Sequence, residues 1–129
     1  MRSAGASRPA ARRQSTCVRA VLDATEANWE EEVLKVRPAV PVLVDVWATW
    51  CGPCKLMSPL MTWAEKEYAG ALKVVKVEAD PNPALIEQYK VYGLPCFLIF
   101  KGGALVEGSK EEGAMPKKQL VEYLAKHGI

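Results

Sequence analysis

Two closely spaced cysteines are the part of this sequence whose residue types most clearly favour chemistry. Cys51 and Cys54 lie in the stretch WATWCGPCKLMSP, residues 47–59, with Gly52 and Pro53 between them. Such a pair can be half of a zinc site, a structural disulfide, or a dithiol that opens and closes during a reaction. The rest of the sequence decides among these three kinds of site.

A zinc site is disfavoured because a structural zinc ion needs four Cys or His ligands, usually as two close pairs. The chain has two further cysteines, Cys17 and Cys96, and one histidine, His127. These residues form no second close pair, so we predict that the chain holds no metal. A structural disulfide is also disfavoured, because closing so short a loop removes little entropy from the unfolded chain.

A reactive dithiol fits the spacing better. If a helix begins directly after Cys51, this cysteine lies where unpaired amides and the helix dipole favour a thiolate. Because the thiolate is the attacking form, Cys51 is the predicted nucleophile. Cys54, one turn later and expected to be less exposed, can then displace a partner bound to Cys51. Pro53 lacks an amide donor and stiffens the turn.

Two charged residues interrupt otherwise apolar stretches. Asp45 lies within VLVDVW, residues 42–47, and Lys76 lies within LKVVKVEA, residues 72–79. One interpretation is a structural ion pair between neighbouring strands. Alternatively, a carboxyl group buried beneath a thiol pair would have a raised pKa and could exchange a proton near neutral pH. We favour the catalytic interpretation.

Apolar periodicity predicts elements in the order β-α-β-α-β-α-β-β-α, which indicates an α/β fold with a central mixed sheet and helices on both faces. The cysteine pair would then follow the carboxyl end of a central strand, where open α/β sheets place their active sites. The predicted strands are 17–22, 42–47, 72–79, 96–101 and 104–108, and the predicted helices are 23–36, a segment after Cys51 kinked at Pro59, 82–91 and 116–128. We expect Asp23 or Thr25 to cap the first helix, and Pro38 and Pro41 to end that segment. We also expect Leu56 and Val121 to be buried with the other apolar residues of their helices.

The charge is unevenly distributed. Residues 1–22 contain five arginines and no acid, whereas the remaining residues contain twelve lysines and arginines against fifteen acids, a net charge of −3. An arm rich in Arg, Ser and Ala is typical of organelle transit peptides, although a disordered tail is the alternative. We therefore predict an arm over 1–20 and one domain over 21–129. We expect no nucleic-acid binding by this acidic domain, and no apolar stretch is long enough to span a membrane.

Four motifs follow one another in an order and spacing that resembles the thioredoxin family: VLVDVWATWCGPCKLMSP, KVVKVEADPNP, YGLPCFLIFKGG and EGA. The resemblance extends from about residue 18 to the end of the chain. YKVYGLP and VEGSKEEGA are most similar to the x-type thioredoxins of chloroplasts. The resemblance implies a thioredoxin fold and a protein-disulfide reductase that needs no bound cofactor.

The resemblance also implies a role for individual residues. Cys51 would attack the target, Cys54 would resolve the mixed disulfide, and the two would end as a redox-active disulfide. Asp45 would assist Cys54 through water with Lys76 beside it, and Pro95 would be held cis next to the site. The residues implied to contact the substrate are Trp50, Gly52, Pro53, Gly93, Leu94, Gly113 and Ala114, although Gly93 and Gly113 can also be explained as turn residues and Trp47 as a core residue.

Three residues depart from the common family pattern: Thr49, Glu112 and Cys96. Thr49 occupies a variable position, whereas Glu112 stands where many members have an apolar docking residue. Cys96 follows Pro95, where threonine is common. It can pack as a small apolar side chain, or it can form a regulatory disulfide or become glutathionylated. We favour packing.

The implied partners are proteins that contain disulfides, among them a peroxiredoxin, with ferredoxin–thioredoxin reductase as the electron donor in the chloroplast stroma. We expect the chain to act as a monomer. An oxidant or isomerase of client proteins is the alternative enzyme, but the Gly-Pro dipeptide matches reductases. A redox-inactive binding scaffold is disfavoured because both cysteines and Asp45 are present.

Overall fold

The computed structural model describes residues 21–37 and 39–129. The arm over 1–20, most of the predicted strand 17–22 and Pro38 therefore lie outside the described residues. The strands are β1 (Leu22–Ala24), β2 (Val42–Trp47), β3 (Lys73–Glu78), β4 (Cys96–Lys101), β5 (Ala104–Leu105) and β6 (Glu111–Glu112); the helices are α1 (Glu30–Leu34), α2 (Gly52–Glu67), α3 (Pro83–Gln88) and α4 (Lys117–Lys126). None of these helices combines the length and apolar character needed to cross a membrane.

The strands form one mixed sheet in the order β1-β3-β2-β4-β5, with β6 also pairing with β4. The first three strands in this order are parallel, and β4 runs antiparallel to β2. The predicted α/β fold with a central mixed sheet is therefore confirmed. The two-residue strand β6 was not predicted, and it pairs antiparallel with the start of β4.

Strand β2 is covered on both faces, as its nearly continuous apolar sequence predicted. Val44 and Val46 face a cluster that includes Trp29 beside α1 and Leu85 of α3. Leu43 faces the opposite cluster, which contains the fully buried side chains of α2 and α4: Met61, Leu120 and Leu124. Because the helices cover both faces, the site at the end of β2 is built on a rigid central strand.

The predicted helix over 23–36 is wrong at its start. Asp23 does not cap a helix, because Leu22–Ala24 pairs in parallel with β3. Thr25 does not cap it either, because the residue before the helix is Trp29 and no side chain caps it. Thr25 instead begins a turn, in which its N–H donates to Asn28 Oδ1 at 2.6 Å and the Asn28 N–H donates to Thr25 Oγ1 at 3.4 Å. The helix that follows is a short π-type segment in which the Lys35 N–H donates to the Glu30 carbonyl at 2.8 Å.

Two apolar residues that we expected to be buried are exposed: Leu56 by 70% and Val121 by 38%. Each residue of a helix is rotated by about 100° from the one before it, so Leu56 points away from the sheet that its neighbour Met57 contacts. In α4, Tyr123 takes the buried position, and its hydroxyl donates to the Ser109 carbonyl at 2.6 Å.

The two neighbouring residues Leu120 and Val121 provide a matched test of this packing. We expect Leu120→Ala to lower the free energy of unfolding by about 2–5 kcal/mol, because it leaves a cavity in the core. Val121→Ala should change it by less than about 1 kcal/mol, because its side chain already contacts solvent. Urea unfolding of the oxidised protein measures both values, and equal losses would contradict the packing described here.

Candidate active site

The two cysteines lie between the end of β2 and the first turn of α2. Cys51 has an extended backbone and caps the helix, which begins at Gly52 and has Pro53 in its first turn. A disulfide joins Cys51 to Cys54, with their Cα atoms 5.4 Å apart. The Cys54 N–H donates to Cys51 Sγ at 3.2 Å. When the disulfide opens, this donor and the positive end of the helix favour negative charge on the Cys51 sulfur.

Burial does not distinguish the two cysteines in this oxidised form. Each is 5% exposed, so the expectation that Cys54 is the less exposed of the two is wrong here. The disulfide holds both side chains in one small cluster with Ala48, and Leu94 and Trp47 pack against it. The two cysteines therefore differ in their position relative to the helix terminus and not in their exposure.

Asp45 is a buried carboxyl group on the same side of the sheet as the disulfide. It is 2% exposed, and its Oδ1 atom has no hydrogen-bond partner among the described residues. Burial raises the pKa of Asp45 to about 7, although the positive charge of Lys76 opposes the increase. A cavity of about 420 Å³ is lined by Asp45, Cys54 and Lys76 together with Ser58 and Thr49. The carboxyl group and the second cysteine therefore share one cavity, which is large enough for water.

Lys76 is the direct neighbour of Asp45 across β2 and β3. Its ammonium group nevertheless lies 4.0 Å from Asp23 Oδ1 and 5.7 Å from the ring centre of Trp47. Within the described residues, no contact of 4.0 Å or less joins the charges of Lys76 and Asp45. The structural ion pair that the sequence suggested between Lys76 and Asp45 is therefore not formed. Trp47, which we interpreted as a core residue, is only partly buried.

Pro95 brings a second part of the chain to the disulfide. The peptide bond between Leu94 and Pro95 is cis, and Leu94 packs against the cysteine cluster. The Gly113 N–H donates to the Pro95 carbonyl at 2.7 Å, which places Gly113 and the exposed Ala114 beside it. Gly113 has a φ of +103°, so glycine is also required by the backbone at this turn.

The side chain of Glu112 supports the same loop. Its Oε2 atom accepts a hydrogen bond from the Tyr92 N–H at 3.2 Å. A Cβ atom at Gly93 would lie 3.1 Å from Glu112 Oε1, so the absence of a side chain at Gly93 makes room for this carboxylate. Sequence reasoning identified Glu112 as unusual but missed its contact with the loop, because β6 carries no apolar pattern.

The surface around the disulfide is exposed and partly aromatic. Trp50 is 68% exposed, and its Nε1–H donates to Asp80 Oδ2 at 2.9 Å. Gly52 and Pro53 are exposed on the same helix terminus, and Tyr92 is exposed beyond Leu94. Neither Tyr92 nor Asp80 was identified from the sequence. The aromatic residue directly before Gly93 could have indicated that Tyr92 belongs to this surface. The structure therefore brings together the residues expected to contact substrate.

Cys96 is fully buried on the face of the sheet that contacts Val44 and Val46. Burial, with a further contribution from the negative charge of Glu112, raises the pKa of the Cys96 thiol to about 12. Both observations favour the interpretation of Cys96 as a packing residue, because a thiol in apolar surroundings forms little of the reactive thiolate.

Comparisons with known proteins give one consistent result. The family model described as Thioredoxin matches residues 20–126. The chain is 50% identical over 99 residues to "Thioredoxin X, chloroplastic" of Arabidopsis thaliana, a match that covers 77% of this chain and 53% of that relative. It is 43% identical over 108 residues to "Thioredoxin 1" of Nostoc sp., covering 84% and 97%. It is also 40% identical over 113 residues to "Thioredoxin M-type, chloroplastic" of Spinacia oleracea, covering 88% and 60%. The resemblance carried by the motifs is therefore confirmed.

The buried carboxyl group predicts how stability depends on pH. In the unfolded chain Asp45 ionises near its ordinary pKa of 3.8, whereas in the folded chain it ionises near 7. Between these values the folded chain keeps a proton that the unfolded chain releases, so the free energy of unfolding falls as the pH rises. We expect the stability advantage of Asp45→Asn over the parent to grow by about 2–4 kcal/mol between pH 4 and pH 8.

Urea unfolding of the oxidised proteins at several pH values measures this difference. Glu122→Gln, which removes an exposed carboxylate from α4, is the matched control and should show no such growth. An Asp45→Asn advantage that is independent of pH would contradict the buried, protonated state.

Proposed function

This chain belongs to the thioredoxin family and is a protein-disulfide reductase, and we propose that Cys51 and Cys54 carry its electrons. Its substrates are proteins that contain disulfides. The single observation that most strongly supports the residue assignment is the disulfide between Cys51 and Cys54 at the first turn of α2, with the Cys54 N–H directed at the Cys51 sulfur. The proposal assigns a separate step to each cysteine.

In the first step, the Cys51 thiolate attacks one sulfur of the target disulfide. The target S–S bond breaks, its other sulfur leaves as a thiolate, and a mixed disulfide joins Cys51 to the target. In the second step, Cys54 loses its proton and its thiolate attacks the Cys51 sulfur. The mixed disulfide breaks, the second target sulfur leaves, and Cys51 and Cys54 become a disulfide. The target has gained two electrons and the chain has lost two.

We assign to Asp45 the acceptance of the proton that Cys54 loses in the second step. A general base works best when its pKa lies near the working pH, and burial raises the pKa of Asp45 to about 7. The cavity shared by the two residues offers a path for the proton through water. The positive charge of Lys76 stabilises the carboxylate form of Asp45, which is the form that can accept this proton.

The target chain is proposed to lie across the exposed surface around the disulfide. Trp50, Gly52 and Pro53 form one side of this surface, and Gly93, Leu94, Pro95, Gly113 and Ala114 form the other. Leu94 contacts the cysteine cluster, while the cis bond before Pro95 turns the backbone beside it. The small residues on both sides leave the disulfide open to an approaching backbone.

We further propose that the protein works in the chloroplast stroma, receives electrons from ferredoxin–thioredoxin reductase and reduces a peroxiredoxin among other clients. Two of the similar proteins are named as chloroplastic, and the Arg-rich arm has the composition of a transit peptide. The identity to "Thioredoxin 1" of Nostoc sp. is close to that of the chloroplastic relatives. The composition of the arm is therefore the main support for the proposed location.

Single substitutions separate the roles of the two cysteines. We expect Cys51→Ser to reduce insulin disulfides no faster than the uncatalysed reaction, because no attacking thiolate remains. Cys54→Ser should still attack but fail to resolve, and should therefore accumulate stable mixed disulfides with targets. Non-reducing electrophoresis and mass spectrometry detect these adducts. Cys96→Ser is the matched control, and normal turnover by Cys54→Ser would refute the assignment.

A fusion of residues 1–22 to a fluorescent protein tests the proposed location. We expect the fusion to enter chloroplasts, because the arginines and the lack of acids are the features that import machinery reads in transit peptides. The control replaces Arg8, Arg12 and Arg13 with glutamate and should remain in the cytosol. Cytosolic retention of the unchanged fusion would refute the targeting function of the arm.

A further inference from the structure

Three charged residues lie side by side across the sheet. Asp23 on β1 is the direct partner of Lys76 on β3, and Lys76 is in turn the direct partner of Asp45 on β2. Directly opposite residues of paired strands point to the same face of a sheet. One lysine therefore lies between two carboxyl groups, one at the edge of the sheet and one in its centre.

The two carboxyl groups differ in their surroundings. The side chain of Asp23 is 73% exposed and that of Lys76 is 28% exposed, and their charged atoms are 4.0 Å apart. Asp45 is buried, and its Oδ1 atom has no hydrogen-bond partner in the part of the chain that the structure describes, yet the carboxylate within 4.0 Å of the Lys76 ammonium group is that of Asp23. The ammonium group of Lys76 is thus within ion-pair range of the outer carboxylate, whereas the inner carboxyl group has no ion pair among the described residues.

We propose that Asp23 is a positioning residue: it holds Lys76 at the outer edge of the sheet and so prevents the lysine from neutralising Asp45. The inference rests on the proposed role of Asp45 as proton acceptor for Cys54. When Asp45 ionises, Lys76 can approach it only by giving up its contact with Asp23. That loss, and the negative charge of Asp23 itself, both oppose ionisation of Asp45.

The other titratable groups near Asp45 come from α2 and from the β4 side of the sheet. From α2, Cys54 and Lys55 line the cavity that contains Asp45. From β4, the residue opposite Asp45 is the apolar Phe97, beyond which Glu111 of β6 is next in the row, and Cys96 lies on the other face. Among the described acids, Asp23 alone lies within 4.0 Å of the Lys76 ammonium group.

The test is the titration of the Asp45 carboxyl carbon by NMR in the full oxidised chain. In Asp23→Asn, we expect the titration midpoint of Asp45 to fall by about 0.3–1 pH unit, because the substitution removes a negative charge and frees the lysine. Asp23→Glu should retain the parent midpoint to within about 0.2 pH unit. Glu31→Gln removes an equal charge from a residue that contacts Lys35 rather than Lys76, and should leave the midpoint unchanged.

A second background shows whether the effect passes through the lysine. In Lys76→Met, the additional Asp23→Asn substitution should move the Asp45 midpoint by less than half as much as in the parent. An unchanged or higher midpoint in Asp23→Asn would overturn the inference. A fall of equal size in the Lys76→Met background would also overturn it, because the effect would then not depend on the position of Lys76.

Measuring insulin reduction against pH separates this inference from the proposed function. If Asp45 is the proton acceptor, the pH profile of Asp23→Asn should shift in the acid direction by the same amount as the NMR midpoint. A midpoint that moves while the profile does not would support the positioning role of Asp23 and refute the catalytic role of Asp45.

Discussion

Burial of β2 on both faces is the constraint on which the rest of the structure depends. A strand without solvent on either side must have all of its backbone groups paired, and β3 and β4 provide that pairing. It also requires helices on both sides, which the alternation of strands and helices provides. Burial of a charged side chain costs free energy, so the burial of Asp45 within this strand lowers the stability of the fold.

The same strand determines where the chemistry occurs. The chain leaves the sheet after Trp47 and enters α2 at Gly52, so Cys51 reaches the helix terminus directly from the buried strand. The loop before β4 and the turn after β6 end beside it, joined by the hydrogen bond from Gly113 to Pro95. Segments that are distant in sequence therefore meet at the disulfide, and the carboxyl group of Asp45 shares a cavity with Cys54. A rigid core positions a reactive surface that is itself made of turns.

Strong apolar patterns made much of this arrangement predictable. The strands β2, β3 and β4 follow from long runs of apolar residues, and the cysteine spacing indicated the disulfide. The first strand was predicted over 17–22 and therefore ends too early, because Leu22–Ala24 is too short to show a period and its pairing with β3 decides its structure. The glutamates of β6 form a strand through backbone pairing alone. The cis bond before Pro95 came only from the family resemblance, and the contact between Asp23 and Lys76 depends on a register that no sequence pattern reveals.

The complete burial of Cys96 has a consequence for how sharply the protein responds to its surroundings. Because that thiol is buried in the core, we expect Cys51 and Cys54 to pair with each other and not with Cys96, so that the pair has two states. A two-electron couple changes its ratio of oxidised to reduced form tenfold for about 30 mV. The population therefore passes from one-tenth to nine-tenths reduced over about 56 mV, without intermediate pairings that would broaden the transition. The burial of Cys96 therefore keeps the transition between the reduced and oxidised forms as narrow as a two-electron couple allows.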